Sequence, residues 1–133
     1  MKYICLGYYD KDKFDGMTDG ERQAMFDTCF NYDDILHEKG HYTGGEALEP
    51  ADAARTLSRR GGELLITDGP FAEAKEQLGG ILFLEARDMD HAIELMAQHP
   101  ALKYGNLFEI RAVVDMSEVE EASEQRRRHH TAH

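Results

Sequence analysis

Cysteine, positive charge and long apolar runs are all scarce in this chain of 133 residues, and each shortage removes a class of protein. The two cysteines, Cys5 and Cys29, show no Cys-x-x-Cys spacing. Both fall inside apolar patterns, where an unpaired cysteine packs as a small hydrophobe, so inert buried thiols are expected rather than a disulfide. No apolar run approaches the ~18 residues that a membrane span needs. Met1-Lys2-Tyr3-Ile4 leads straight into a strand pattern without a signal-peptide h-region, which makes a cytoplasmic protein with no membrane partner the expectation. Lys and Arg number 15 against 26 Asp and Glu, for a formal net charge of −11. A nucleic-acid-binding protein concentrates Lys and Arg on one face. Here the basic run Arg126-Arg127-Arg128 follows Glu118, Glu120, Glu121 and Glu124, so direct nucleic-acid contact is not expected. A nucleophile elbow, a phosphate loop, a dinucleotide fingerprint and zinc spacing are also missing, so no cofactor is expected.

What is present suits one domain with a tail, with 41% apolar and 31% charged residues. Tyr3 to Tyr9 alternates Ile4, Leu6 and Tyr8 on one face with Tyr3, Cys5 and Tyr9 on the other, as a strand does. A charged connector, 10–20, leads to a helix from about Thr18 to Lys39, with Thr18 and Glu21 as a capping box and Gly40 beyond the last turn. Met25, Cys29, Tyr32 and Leu36 recur along its core stripe, and Phe26, Phe30 and Ile35 widen it. His41 to Leu48 reads as a short strand in which Gly44-Gly45 marks a bulge or a close backbone approach. Ala53 to Arg59 and Glu63 to Thr67 form a hairpin through the glycines of Arg60-Gly61-Gly62. The unbroken run Ile81-Leu82-Phe83-Leu84 suits a central strand covered on both faces. Asp88 caps a second helix carrying Ala92, Ile93, Leu95 and Met96, which Pro100 terminates, and Asn106 to Val114 supplies the last strand.

Two βαβ halves with an inserted β hairpin predict an α+β, ferredoxin-like antiparallel sheet with both main helices on one face. The other sheet face has no cover of its own, and a symmetric homodimer is the simplest way to bury it. Residues 1–116 form the domain. Residues 117–133 read as a charged extension, a frayed helix or disordered, opened by a Ser117/Glu120 capping box. Its His129, His130 and His133 lack the second shell that orients true ligands, so no metal site is assigned.

The candidate site centres on residues 67–80, which set Asp68, Glu73, Lys75 and Glu76 on a loop held by Gly69-Pro70 between two apolar runs. Asp68 at a strand end and His99 after the second helix are candidate catalytic residues. If folding joins them, the carboxylate orients the imidazole as a general acid/base pair. The alternative is structural, with Asp68 in an Asx turn and His99 as a helix cap. Glu46, Glu73, Lys75, Tyr104 and Arg111 are candidate ligand-binding residues. Lys75 would take an anion, and Arg111 would hold a carboxylate through two parallel hydrogen bonds, or else pair with Glu73 or Glu46. Tyr8, Tyr42 and Tyr104 are candidates to line a pocket, or to serve in packing.

Gly44-Gly45-Glu46-x-Leu48, the run Thr67 to Gly80 with Asp68-Gly69-Pro70-Phe71 at its head, His99-Pro100 and Glu109-Ile110-Arg111 together resemble the DGPF branch of the YCII-related proteins. The resemblance spans Met1 to about Met116 and implies a dimeric α+β barrel. The wider family has a His and an Asp suspected of acid/base catalysis, and some relatives are dehydrochlorinating or lactone-processing enzymes. Here Arg22, Met25 and Phe26 stand where that His would lie, and the family's Asp-Pro reads His99-Pro100, so the dyad does not carry over. DGPF members are also associated with extracytoplasmic-function sigma factors, which implies a regulatory partner. The expected functions are therefore a homodimer that binds a small organic molecule, with or without acid/base turnover; a regulatory partner of a sigma factor; and an interaction module with an empty cleft.

Overall fold

In the computed structural model of the chain, residues 1–131 are described. The first strand, β1 (Lys2–Asp10), runs directly into a short helix, α1 (Lys11–Asp15), where only a charged connector was expected. The long helix α2 (Asp19–Glu38) starts at the expected cap. Glu21 N–H donates to the Thr18 hydroxyl at 3.1 Å, and Thr18 N–H donates to the Glu21 carboxylate at 2.9 Å. β2 (Tyr42–Ala47), the hairpin strands β3 (Arg55–Arg60) and β4 (Glu63–Asp68), and β5 (Glu76–Glu85) follow. Helix α3 (Met89–Ala97) is capped by Asp88, whose carboxylate accepts from His91 N–H at 2.8 Å, and it ends ahead of Pro100. A 3-10 turn, Pro100–Tyr104, leads to β6 (Leu107–Ala112), and α4 (Ser117–Thr131) completes the described chain.

Four strands form one antiparallel sheet in the order β2-β5-β1-β6, which is the ferredoxin-like arrangement, and β3-β4 form a separate two-stranded ribbon. β5 is central, as its apolar run predicted, but only its inward face is covered. Leu84 is buried at 1% exposure, whereas Phe83, pointing the opposite way, is 38% exposed. The inner face packs Tyr3, Cys5, Leu84 and Ala86 against Leu36 of α2 and Ala92 and Met96 of α3. The outer face carries Ile4 and Leu6 opposite Phe83 and Ile81, on the side away from the helices that cover the core.

Gly44-Gly45 do bulge β2: the register shifts between Tyr42 and Gly44, and a Cβ on Gly45 would come 2.7 Å from the Ile81 carbonyl oxygen. The hairpin turn falls on Gly61 and Gly62, with φ of 58° and 82°, the two positive values that a two-residue turn of this hand requires.

Two expectations are corrected. The widened α2 stripe is not core. Met25 and Leu36 are buried, but Phe26, Phe30 and Ile35 lie one step further around the helix and are 41%, 60% and 45% exposed. At α4, Ser117 is the first helical residue rather than the cap, and its N–H donates to the Asp115 carboxylate at 2.9 Å. The Ser117 side chain first, and this backbone bond second, hold the Asp115 carboxyl below its ordinary range. His133 lies outside the described residues. Among the described residues no helix is long and apolar enough to cross a membrane, and no three His, Cys, Asp or Glu side chains converge as metal ligands.

Both cysteines are free thiols, and burial pushes Cys5 up to about 11. Cys29 is also raised, first by burial and then by the nearby Asp33 charge. Neither thiol has the low pKa of a nucleophile.

Candidate functional site

The junction of β1 and α1 builds a cleft. Asp10 ends the strand and caps the helix, its carboxylate accepting from Lys13 N–H at 3.2 Å. This turn brings Phe14 back against Tyr9, edge to face at 5.9 Å. Arg22 of α2 then pins the end of α1. Its guanidinium donates to the Phe14 carbonyl at 3.1 Å and the Asp15 carbonyl at 2.9 Å, pairs with Asp19 at 2.9 Å, and lies 5.3 Å from the Phe14 ring centre. Phe14 meets Phe26 at 6.0 Å, and Phe26 stacks on Phe30 at 6.0 Å, so an aromatic file runs from the sheet end out along α2.

Facing this file, Tyr104 and Phe108 form the opposite wall, and Gly7, Gly79 and Gly80 floor a cleft of about 690 Å³. The floor must be glycine at position 79, because a Cβ there would stand 2.6 Å from the Tyr9 ring. Asp10, Lys13 and Asn106 supply polar groups at the rim. The Lys13 ammonium has no ion-pair partner, and the Tyr104 hydroxyl and Asn106 carboxamide have no protein hydrogen-bond partner, among the described residues. Apolar walls of this size with a few unsatisfied polar groups are the usual composition of a small-molecule site.

Of the residues singled out from sequence, Tyr104 and Tyr8 line this cleft, and Tyr42 packs against the core instead. Lys75 reaches its rim indirectly, its ammonium 3.6 Å from the Asp10 carboxylate. Asp68 and Glu73 lie elsewhere, in a second hollow of about 950 Å³ beneath the 69–75 loop, with Tyr8, Leu78 and Phe71. Glu46 and Arg111 are exposed on opposite edge strands of the sheet's open face, β2 and β6, and Arg111 pairs with neither Glu46 nor Glu73.

Asp68 and His99 are not joined. Asp68 pairs with Arg55 at 3.1 Å, both side chains well exposed. His99 is 4% exposed and has no free nitrogen: Nδ1 accepts from Ala101 N–H at 3.1 Å, which leaves the ring proton on Nε2 to donate to Asp33 at 2.9 Å. Its ring is wedged edge-on against Tyr32 and Phe108. It caps the start of the 3-10 turn rather than the end of α3, and it ties that turn to α2. Asp33 was missed because a single carboxylate beside the Cys29-Tyr32-Leu36 stripe looks like any solvated helix charge. The cleft was missed because α1 was not foreseen, although the spacing of Tyr9, Phe14 and Met17 in a charged segment held a signal.

Sheet order, helix placement and inserted hairpin define a ferredoxin-like α+β domain with an aromatic cleft where its first strand meets its first helices. A profile of the YCII-related domain matches residues 1–117, and the chain belongs to that family. An uncharacterized protein of Rhizobium meliloti (strain 1021) is 45% identical over 94 residues, covering 71% of this chain and 76% of that protein.

Proposed function

We propose that this YCII-related protein is a cytoplasmic homodimer of the DGPF branch that binds a small, flat organic molecule in the aromatic cleft. The observation that carries this is the cleft of about 690 Å³, in which Tyr9, Phe14, Phe26, Tyr104 and Phe108 surround a glycine floor. Such walls favour a planar ring, and the rim groups Lys13, Asn106 and Tyr104 suit a carboxylate or hydroxyl substituent. A proton transfer on the bound molecule falls to groups that line the cleft rather than to His99, which is 4% exposed and has both nitrogens engaged.

Calorimetric titration with salicylate and phenol tests the site. Saturable binding of one molecule per chain is expected, with Tyr104→Ala weakening it about tenfold and leaving the unfolding midpoint unchanged. Absence of saturable binding, or binding indifferent to Tyr104→Ala, overturns the proposal.

A second reading, a regulatory protein that engages a basic partner such as a sigma factor, draws support from the net charge of −11. It requires co-purification with that partner and release by salt, and a salt-insensitive dimer free of partners counts against it.

A further inference from the structure

At the base of the β3–β4 ribbon its two ends are tied to each other, Gly69 N–H donating to the Ala54 carbonyl at 2.8 Å and the Thr56 hydroxyl donating to the Gly69 carbonyl at 2.8 Å. Its register sorts the side chains cleanly. Leu57 opposes Ile66 and Arg59 opposes Leu64 on one face, while Thr56 opposes Thr67 and Ser58 opposes Leu65 on the other. The first face therefore sets Leu57, Leu64 and Ile66 together as an apolar patch in solvent, at 63%, 51% and 64% exposure, flanked by Arg59 and by the Arg55–Asp68 pair. At the base Phe71 is 91% exposed. A two-stranded hairpin is marginal in water without a surface to pack on, and an apolar ribbon face of this kind is stable when something covers it.

We infer that this ribbon is an intermolecular arm whose Leu57, Leu64 and Ile66 face closes on the body of a second copy of this chain, an inference that rests on the homodimer proposed above. Two observations choose a second copy as the occupant. The first is charge: the arm carries Arg55, Arg59 and Arg60 against Glu63 and Asp68, one positive charge in excess, on a chain whose net charge is −11, so the arm meets a body of opposite sign when two copies associate. The second is continuity. The hollow of about 950 Å³ at the arm's base is lined by Asp68 and Phe71 on one side and by Tyr8 and Leu78 on the other. Tyr8 and Leu78 are paired neighbours on the central strands, so arm and sheet end form the two sides of one concave surface. A neighbour seated on that surface touches both the sheet and the base of the arm.

The test uses the full chain with Leu57→Thr, Leu64→Thr and Ile66→Thr together, which keeps strand-forming residues while removing the apolar face. Sedimentation equilibrium should show the dimer dissociation constant raised roughly tenfold or more, with the circular dichroism of the body retained. Should the triple variant misfold, isotope-filtered NMR on mixed labelled and unlabelled wild-type chains gives an independent readout. Intermolecular contacts from the Leu57, Leu64 and Ile66 methyl groups are expected. A wild-type dimer with no such contacts, or one whose dissociation constant the triple substitution leaves unchanged, overturns the arm while sparing the homodimer. A wild-type monomer overturns both.

Discussion

In the body of the molecule, strands that turn apolar residues inward find helices above them. Tyr3, Cys5 and Leu84 meet Leu36, Ala92 and Met96 and are almost wholly buried. In the arm, β3 and β4 pair in as regular a register, yet Leu57, Leu64 and Ile66 remain more than half exposed. The difference shows that period-two alternation decides which face of a strand is apolar, while a separate amphipathic element decides whether that face is stable in a single chain. The outer face of the main sheet stands between these cases, apolar along β1 and β5 and uncovered.

The sharpest way to break the comparison is to delete equivalent side chains from both regions. Leu84→Ala, at a site 1% exposed, should cost about 2–5 kcal/mol in urea unfolding at any protein concentration. Ile66→Ala should cost under about 0.5 kcal/mol at dilutions where the chain is monomeric and visibly more where it is dimeric. Equal costs that ignore concentration would erase the distinction between body and arm. His99→Ala comes next, at about 2–3 kcal/mol, because it strands the Asp33 carboxylate and the Ala101 N–H, and salicylate binding in the cleft should survive it. Loss of binding without loss of stability would restore a catalytic role to His99.

Smaller effects follow at the exposed charges. Replacing Arg55 or Asp68 by alanine in the arm should move stability by less than about 1 kcal/mol, since solvent screens the pair. The least effect is an acid one at the start of α2. Accepting Thr18 N–H holds the Glu21 carboxyl below its ordinary 4.5. The folded state therefore binds this proton more weakly than the unfolded state. The stabilisation is complete above the ordinary value and is lost as pH falls through the lowered one. Glu21→Gln keeps the acceptor without the titration, so unfolding midpoints followed from about pH 5 to about pH 1 should fall less steeply than in the wild type. An unchanged slope would remove Glu21 from the acid response.

Much of the fold was legible in the sequence because each element carries its own local marks. Thr18 and Glu21 cap α2, Gly61-Gly62 turn the hairpin, and Pro100 stops α3, each within a residue or two of its own effect. The site was far less legible, because it depends on which elements meet. Asp68 and His99 each carry the marks of useful chemistry, yet the hairpin carries Asp68 out to Arg55, while Asp33, in the second half of α2, takes the imidazole. The exposed positions of Phe26 and Phe30 were likewise hidden. A helix has only one face for the sheet, and Met25, Tyr32 and Leu36 claim it.

Sedimentation of the wild-type chain across a dilution series tests the central claim, that the uncovered sheet face is shielded by an identical neighbour. The account predicts a dimer that persists to submicromolar concentration and gives way to a folded monomer only below it. A fully folded monomer, unchanged across the series, would contradict it.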